Sequence, residues 1–410
     1  MPLNSRRIMD RCDSLARHTE DAGKLTRICF SNEQRAASDE VLGWMRRAGM
    51  QAHLDAIGNV IGRYEGVQGG LPCLLLGSHL DTVRNAGRYD GMLGVIIAIE
   101  CVQAFADCGK RFPFAIEIAG FCDEEGVRFG TTLLGSRALA GSFDYKALES
   151  RDRDGATLAQ ALRDFGLDPS MIGNAAKKKF DIHAYIELHI EQGPVLESLG
   201  LPLGLVTAIN GFSRLRVKLT GRAGHAGTVP MHLRRDALAA AAECVLAVER
   251  IGRGVPDLVA TVGRLEVNPG AINVIPGEVS FTLDVRSPSD SIRGATVLEI
   301  IDTIQTGAKK RQIEMEIETL QEQNVTTCAT WLNAQLEQSL SAENHTVHLL
   351  PSGAGHDGMA MQAIADIAML FVRCKEGISH HPAEAIAEAD ALAGARVLAR
   401  FIENFKVPGP

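Results

Sequence analysis

Apolar and polar positions along the chain switch repeatedly between helical and strand periods. Residues 5–50 read as helices, with apolar positions at helical spacing through "DEVLGWMRRAGM" and Gly49 ending the last turn. "NVIGRYEG" (59–66) and "LPCLLLGSHL" (71–80) read as strands, the second a continuous apolar run of the kind buried on both faces. "DGMLGVIIAIECVQAFADCG" (90–109) follows as a helix, and "FPFAIEIAGFCDEEG" (112–126) as a buried strand that ends in charge. Strand, helix, strand with polar residues at the strand ends predicts an α/β fold with a parallel-rich central sheet, whose ligand site lies beyond the carboxyl ends of the strands. "AYIELHIEQG" (184–193) repeats the theme with Glu187, His189 and Glu191.

After about residue 209 the pattern turns amphipathic. "LRVKLTG" alternates with period two, "PMHLRRDALAAAAECVLAVERIG" (230–252) reads as one long helix entered at Pro230, and two further alternating strands, a helix and a last alternating strand follow. This order is that of a ferredoxin-like α+β domain. The expected organisation is therefore residues 1–209 and 325–410 as one larger domain, with residues 210–324 as a small domain inserted into it. A length of 410 residues agrees with two domains.

Composition narrows the function classes. A net charge of −8 with no basic cluster beyond "AAKKKF" (175–180) leaves no electrostatic footprint for nucleic acid. The N-terminal segment lacks the apolar core of a signal peptide, and "GVIIAIECVQAFA" (94–106) is too short to span a bilayer, so a cytoplasmic protein with no membrane partner is expected. Nine scattered cysteines without a C-x-x-C pair argue for a reducing compartment.

A single histidine is more often a polar core or surface residue than a ligand. His79 differs because it ends an apolar strand in "SHLDTV", with Asp81 two residues on and on the same face. The Asp81 carboxylate is placed to accept the second ring N–H of His79, as partners of metal-bound histidines do. Asp90, before "GMLG", reads equally as a ligand or as the N-cap of the next helix. "DEEG" (123–126) is either a solvated turn or a cation ligand beside a general base, since adjacent carboxylates repel unless solvent or a cation relieves them. With His189 and His380 added, mixed imidazole and carboxylate donors suit Zn²⁺ or Mn²⁺.

"SHLDTV", "YDGMLGV", "DEEGVRF", "ELHIEQGPVLE", "GHAGTVPM", "NVIPG", "DVRS", "SGAGHD" and "GISHHPAE" occur in this order. Together they resemble the M20 metallopeptidase family in its carbamoyl-amidohydrolase branch. The resemblance implies a catalytic domain with two divalent ions and an inserted lid and dimerisation domain. It implies His79, Asp90, Glu125, His189 and His380 as metal ligands, with Asp90 bridging, Glu125 and His380 completing one ion's shell, and His79 and His189 the other's. It implies Glu124 as general base, and His225 as a histidine lent across a homodimer to the developing oxyanion. Asn273 and Arg286 would hold the substrate carboxylate, with Gln192 and Gly355 as further substrate contacts. The implied activity is hydrolysis of a non-peptide C–N bond in a small ureido acid. Allantoate, as in purine catabolism, is the first expectation and an N-carbamoyl-L-amino acid the alternative, with ureidoglycolate and β-ureidopropionate behind them. An M20-like scaffold that binds a small molecule without turnover is the reading from another class. Two positions depart from the pattern: His381 stands where relatives often have Asn, offering a second candidate beside His380, and Phe212 where many have Gln.

Overall fold

Each apolar run that reads as a doubly buried strand joins one sheet. The structure is a computed structural model that describes residues 3–407. It divides into two compact units: residues up to Thr207 with Cys328–Leu350 and Ala354 onward, and Ala208–Thr327 with Pro351–Gly353.

In the first unit the strands run in the order Gln51–Leu54, Val60–Tyr64, Ala115–Phe121, Cys73–His79, Ile182–Ile190, Ile367–Val372 and Leu203–Ile209. The four from Ala115–Phe121 to Ile367–Val372 are mutually parallel. Antiparallel pairs flank them on both sides. Cys73–His79, Ala115–Phe121 and Ile367–Val372 are buried at every residue, which is why they carry no alternation in sequence. The helix Met92–Asp107 is apolar nearly all round and buried from Met92 through Cys101. Its one interior charge, Glu100, accepts from Arg7 Nε (2.6 Å) and Nη2 (2.7 Å) and from the Asn4 N–H (2.8 Å). The Ser5–Leu15 helix is thereby joined to the Met92–Asp107 helix through a fully hydrogen-bonded carboxylate, the condition on which a buried charge is tolerated.

In the second unit four antiparallel strands lie in the order Glu314–Gln323, Gly211–Thr220, Glu278–Ser287, Val259–Asn268. Glu278–Ser287 alternates strictly between buried and half-buried positions, as a sheet with one covered face must. Its inward side chains Val279, Phe281, Leu283 and Val285 pack with Ala241, Val248, Ile300 and Ile304 of the helices Ala237–Arg253 and Asp290–Lys310.

Two local expectations change. The segment after Pro230 makes only a single turn, Met231–Leu233, and the long helix starts at Ala237. Asp236 is the start signal, because its carboxylate accepts the N–H groups of Leu238 and Ala239, both at 3.0 Å. Asp90 makes no side-chain cap: the helix after it is entered through Gly91.

Candidate metal centre

The carboxyl ends of the four parallel strands bring the candidate ligands of the first unit together. His79 is the last residue of its strand and His189 the last but one of its own. Glu124 and Glu125 follow the strand ending at Phe121, and His380 follows the one ending at Val372. Asp90 stands on the loop between His79 and the Met92–Asp107 helix.

The two oxygens of Asp90 face different ways. Oδ1 lies 3.4 Å from His79 Nε2 and 3.1 Å from His189 Nε2. Oδ2 lies 3.3 Å from His380 Nε2, which is also 3.3 Å from Glu125 Oε1. Three overlapping donor groups result: His79–Asp90–His189, His79–Glu124–Glu125 and Asp90–Glu125–His380. Ligand atoms about 2.0–2.1 Å from one tetrahedral ion are roughly 3.3 Å from each other, which is the spacing of these donors. His189 Nε2 and Asp90 Oδ1 face each other without the alignment of a hydrogen bond, and both are buried polar atoms with no hydrogen-bond partner. A buried imidazole nitrogen and carboxylate oxygen left in that way fit a cation, because each would otherwise bear an uncompensated desolvation cost.

Backbone carbonyls set the ring tautomers. His79 Nδ1 is 3.0 Å from the carbonyl oxygen of Asp81, and His189 Nδ1 is 2.9 Å from that of Ile190. A carbonyl only accepts, so each Nδ1 carries hydrogen, which leaves each Nε2 facing Asp90 and free to offer its lone pair to a cation bound there. The expectation that the Asp81 carboxylate does this is corrected. The main chain of Asp81 holds His79, and its carboxylate accepts the N–H groups of Glu124 (3.1 Å) and Glu125 (3.2 Å), shaping the acidic turn. Below His189, Glu187 accepts from the Gly358 N–H (3.0 Å) and the Tyr185 hydroxyl (3.1 Å).

Electrostatics follow from the crowding. Burial opposes charge on Asp90, yet the imidazoles of His189, His380 and His79 hold it well below the usual carboxylate range. Asp90 and then Glu125 push His380 up to about 10. Burial raises Glu124 well above the usual range; the His79 imidazole opposes this and Glu125 adds to it. In such a cluster protons and cations compete for the same donors.

Gln192 and Gly355 border the cluster. Gln192 Nε2 donates to Asp90 Oδ2 (2.9 Å), and Gly355 faces Glu124, where an added Cβ would lie 3.8 Å from Oε1. His381 turns elsewhere: its Nδ1 accepts the Ala383 N–H at 3.1 Å, so its neutral ring carries hydrogen on Nε2. Local sequence pattern gives Ser379 and Glu384 no role, although both lie in "GISHHPAE"; Ser379 Oγ is 2.8 Å from Asp90 Oδ2.

His225, Asn273 and Arg286 belong to the second unit. His225 is exposed and pairs with Val274 in a two-residue ladder, beside Asn273. Its Nδ1 accepts the Gly227 N–H at 3.0 Å, which puts the hydrogen of the neutral ring on Nε2. Arg286 is held bidentately by Asp284 (2.9 and 3.0 Å) and donates to the Gly353 carbonyl (2.8 Å). Phe212 lies directly across the ladder from Arg286, its ring 4.5 Å from the Arg214 guanidinium and 5.9 Å from that of Arg286.

Comparison with known proteins decides the family. Residues 75–404 match the model of peptidase family M20/M25/M40. The chain belongs to that family. This M20 chain is 43% identical to an N-carbamoyl-L-amino acid amidohydrolase of Geobacillus stearothermophilus, across 92% of its own length and 93% of the relative's. It is 37% identical to a probable allantoate deiminase of Oryza sativa subsp. japonica, across 96% and 87%. A crystal structure of an amidase of the hydantoinase/carbamoylase family from Burkholderia multivorans superposes with a TM-score of 0.92 at 31% identity, covering 98% of this chain and 97% of that one. The M20 chain is thus a C–N hydrolase of the amidohydrolase type, from a metal-dependent family, and His79, Asp90 and His189 form a possible metal site in it. Among the described residues no helix is long and apolar enough to cross a membrane.

Proposed function

We propose that this M20 chain hydrolyses the ureido group of an N-carbamoyl-L-amino acid, using two divalent ions per chain. The observation that carries the reading is the divided Asp90 carboxylate, one oxygen toward His79 and His189 and the other toward His380, with Glu125 beside His380. His79, His189 and Asp90 would hold one ion, and Asp90, Glu125 and His380 the other. Zn²⁺ or Mn²⁺ suits this donor set, and either supplies Lewis acidity that brings water's acidity toward neutrality and offsets charge on the reacting carbonyl.

The remaining work falls to side chains. Arg286 and Asn273 bind the substrate carboxylate, Arg286 through the guanidinium hydrogens that Asp284 and the Gly353 carbonyl leave free. Glu124 takes a proton from the attacking water and returns it to the leaving nitrogen. Its position beside Glu125 and His79, and the upward pull of burial on its pKa, support that role. His225 donates Nε2–H to the oxyanion, a bond that strengthens as charge develops. Water adds to the ureido carbon and the C–N bonds break, giving ammonia, CO₂ and the free amino acid. Gln192 and Gly355 line the reacting end. The second unit, Ala208–Thr327 with Pro351–Gly353, serves as lid and dimerisation domain, with His225 acting in the partner subunit's site. Nine free cysteines support a reducing, cytoplasmic location.

Phe212 moves the preferred substrate from allantoate to an N-carbamoyl-L-amino acid. Its ring beside Arg286 has no hydrogen-bonding group for a second ureido arm but packs well against an apolar side chain. Allantoate remains the second reading, supported by 37% identity to the Oryza protein. The test is ammonia release by metal-stripped enzyme resupplied with Mn²⁺ or Zn²⁺. Substrates are N-carbamoyl-L-amino acids, allantoate, ureidoglycolate and N-carbamoyl-β-alanine. Preference for N-carbamoyl-L-leucine over allantoate is expected. Preference for allantoate overturns the Phe212 argument, and no turnover of any of them favours a binder without activity.

A further inference from the structure

Glu384 is buried, with 4% of its surface exposed, and all its side-chain bonds reach toward the cluster. Oε1 accepts the backbone N–H groups of Tyr89 (2.9 Å) and Asp90 (3.1 Å). Oε2 accepts from Ser379 Oγ at 3.0 Å, and the same hydroxyl lies 2.8 Å from Asp90 Oδ2. One carboxylate therefore joins two loops far apart in sequence: 89–91, which carries Asp90, and 379–384, which carries His380. The chain is shaped to admit it. Gly87 lies so close that a Cβ there would fall 2.2 Å from the Glu384 Cβ. His380 itself has a left-handed backbone, φ 55°, a conformation a non-glycine residue keeps only when its surroundings impose it.

We propose that Glu384 is a positioning residue that sets the distance between Asp90 and His380, and thereby the affinity of the ion held by Asp90, Glu125 and His380. The inference rests on the metal reading given above. It separates the two ions: His79 and His189 are held by carbonyls of their own strand ends, whereas His380 owes its place to a loop that Glu384 ties down. Removing the brace loosens the loop of Asp90, which both ions share, but frees His380, a donor of one ion only, so that ion loses more. Partners that orient metal ligands typically change affinity by about 10–100-fold when removed.

The test is a Zn²⁺ titration of metal-stripped full-length protein against a chromophoric chelator, with melting temperature recorded alongside, for wild type, Glu384→Ala, Glu384→Gln and Ser379→Ala. Wild type is expected to bind two ions. In Glu384→Ala the ion that includes His380 is expected to weaken about 10–100-fold, and the other, which shares only Asp90 with it, by clearly less. Glu384→Gln keeps an oxygen for the two N–H groups and an amide for Ser379, so its second ion is expected to recover to within about threefold of wild type. Ser379→Ala, a milder cut in the same link, should weaken that ion severalfold and covers the case in which Glu384→Ala fails to fold. The proposal is overturned if both alanine variants bind two ions as wild type does. Equal loss of both ions, or a Glu384→Gln as impaired as Glu384→Ala, also overturns it. Wild type that binds no Zn²⁺ or Mn²⁺ instead defeats the underlying metal reading, so the two failures are told apart.

Discussion

Gly91→Ala tests how closely the backbone is fitted around His79. Gly91 has φ 68°, and a Cβ there would lie 2.4–2.5 Å from three atoms of the His79 ring. Two costs add. The left-handed conformation costs a residue with a Cβ roughly 1–2 kcal/mol. The contact is the larger problem, since carbon atoms approach to about 3.5–4.0 Å, so ring and loop must part by about 1 Å or more. Metal–ligand distances tolerate only about ±0.2 Å, so the same shift removes His79 from any ion it shares with Asp90. His79 is buried and leaning on the Asp81 carbonyl, which leaves the loop of Asp90 as the part that yields. The variant is expected to fold with a lowered melting temperature and to retain less than about a tenth of the wild-type metal content after dialysis against a weak chelator, measured by atomic absorption. A Gly91→Ala protein that keeps its metal and melts within one degree of wild type would show that the loop has slack, and the ligand geometry argued from it would fail.

Three further outcomes are expected. Arg286→Lys should lower kcat/KM by about 10²-fold or more, chiefly through KM, because an ammonium cannot keep the bonds to Asp284 and Gly353 and reach the carboxylate as well; unchanged KM would remove Arg286 from carboxylate binding. Phe212→Gln should shift relative kcat/KM from carbamoyl-leucine toward allantoate, read from the same ammonia assay; no shift would mean that Phe212 does not face the substrate. Among the nine cysteines only Cys108 is exposed, and burial pushes Cys244 and Cys374 up to about 11. A raised thiol pKa keeps the group protonated below it, so at pH 8 iodoacetamide should label Cys108 alone in native protein. Labelling of Cys122, whose thiol burial holds well above its ordinary range, would contradict the packing described for it.

The parts of the site legible in sequence were those where an apolar run ends abruptly in charge. His79 and the acidic turn after Phe121 announce themselves that way, because a strand buried on both faces carries charge in its interior only where a partner compensates it, as Arg63 and Lys177 do for Glu117. The split strand–helix–strand order of the second unit was legible from its period-two alternation, since that sheet has one covered face. What escaped is what depends on backbone atoms or on long-range closure. That Asp81 holds His79 by its carbonyl and the acidic turn by its carboxylate is invisible to side-chain spacing. Glu384 binds the N–H of Asp90 294 residues away, and no local pattern marks that bond. The late start of the helix at Ala237 is legible in principle: Asp236 before an alanine-rich run is a strong cap signal, and Pro230 draws the boundary seven residues early.

The central claim is that divalent ions gathered around Asp90 serve a reaction in which Glu124 moves the protons. Its most direct measurement pairs metal content with single-turnover ammonia release for wild type and Glu124→Gln on N-carbamoyl-L-leucine. The account expects two ions per chain in both proteins, activity in wild type that vanishes on stripping and returns with Mn²⁺ or Zn²⁺, and a turnover about 10²–10⁴-fold slower in the variant. Wild-type activity indifferent to metal removal, or a Glu124→Gln enzyme that keeps its ions and its rate, would contradict it.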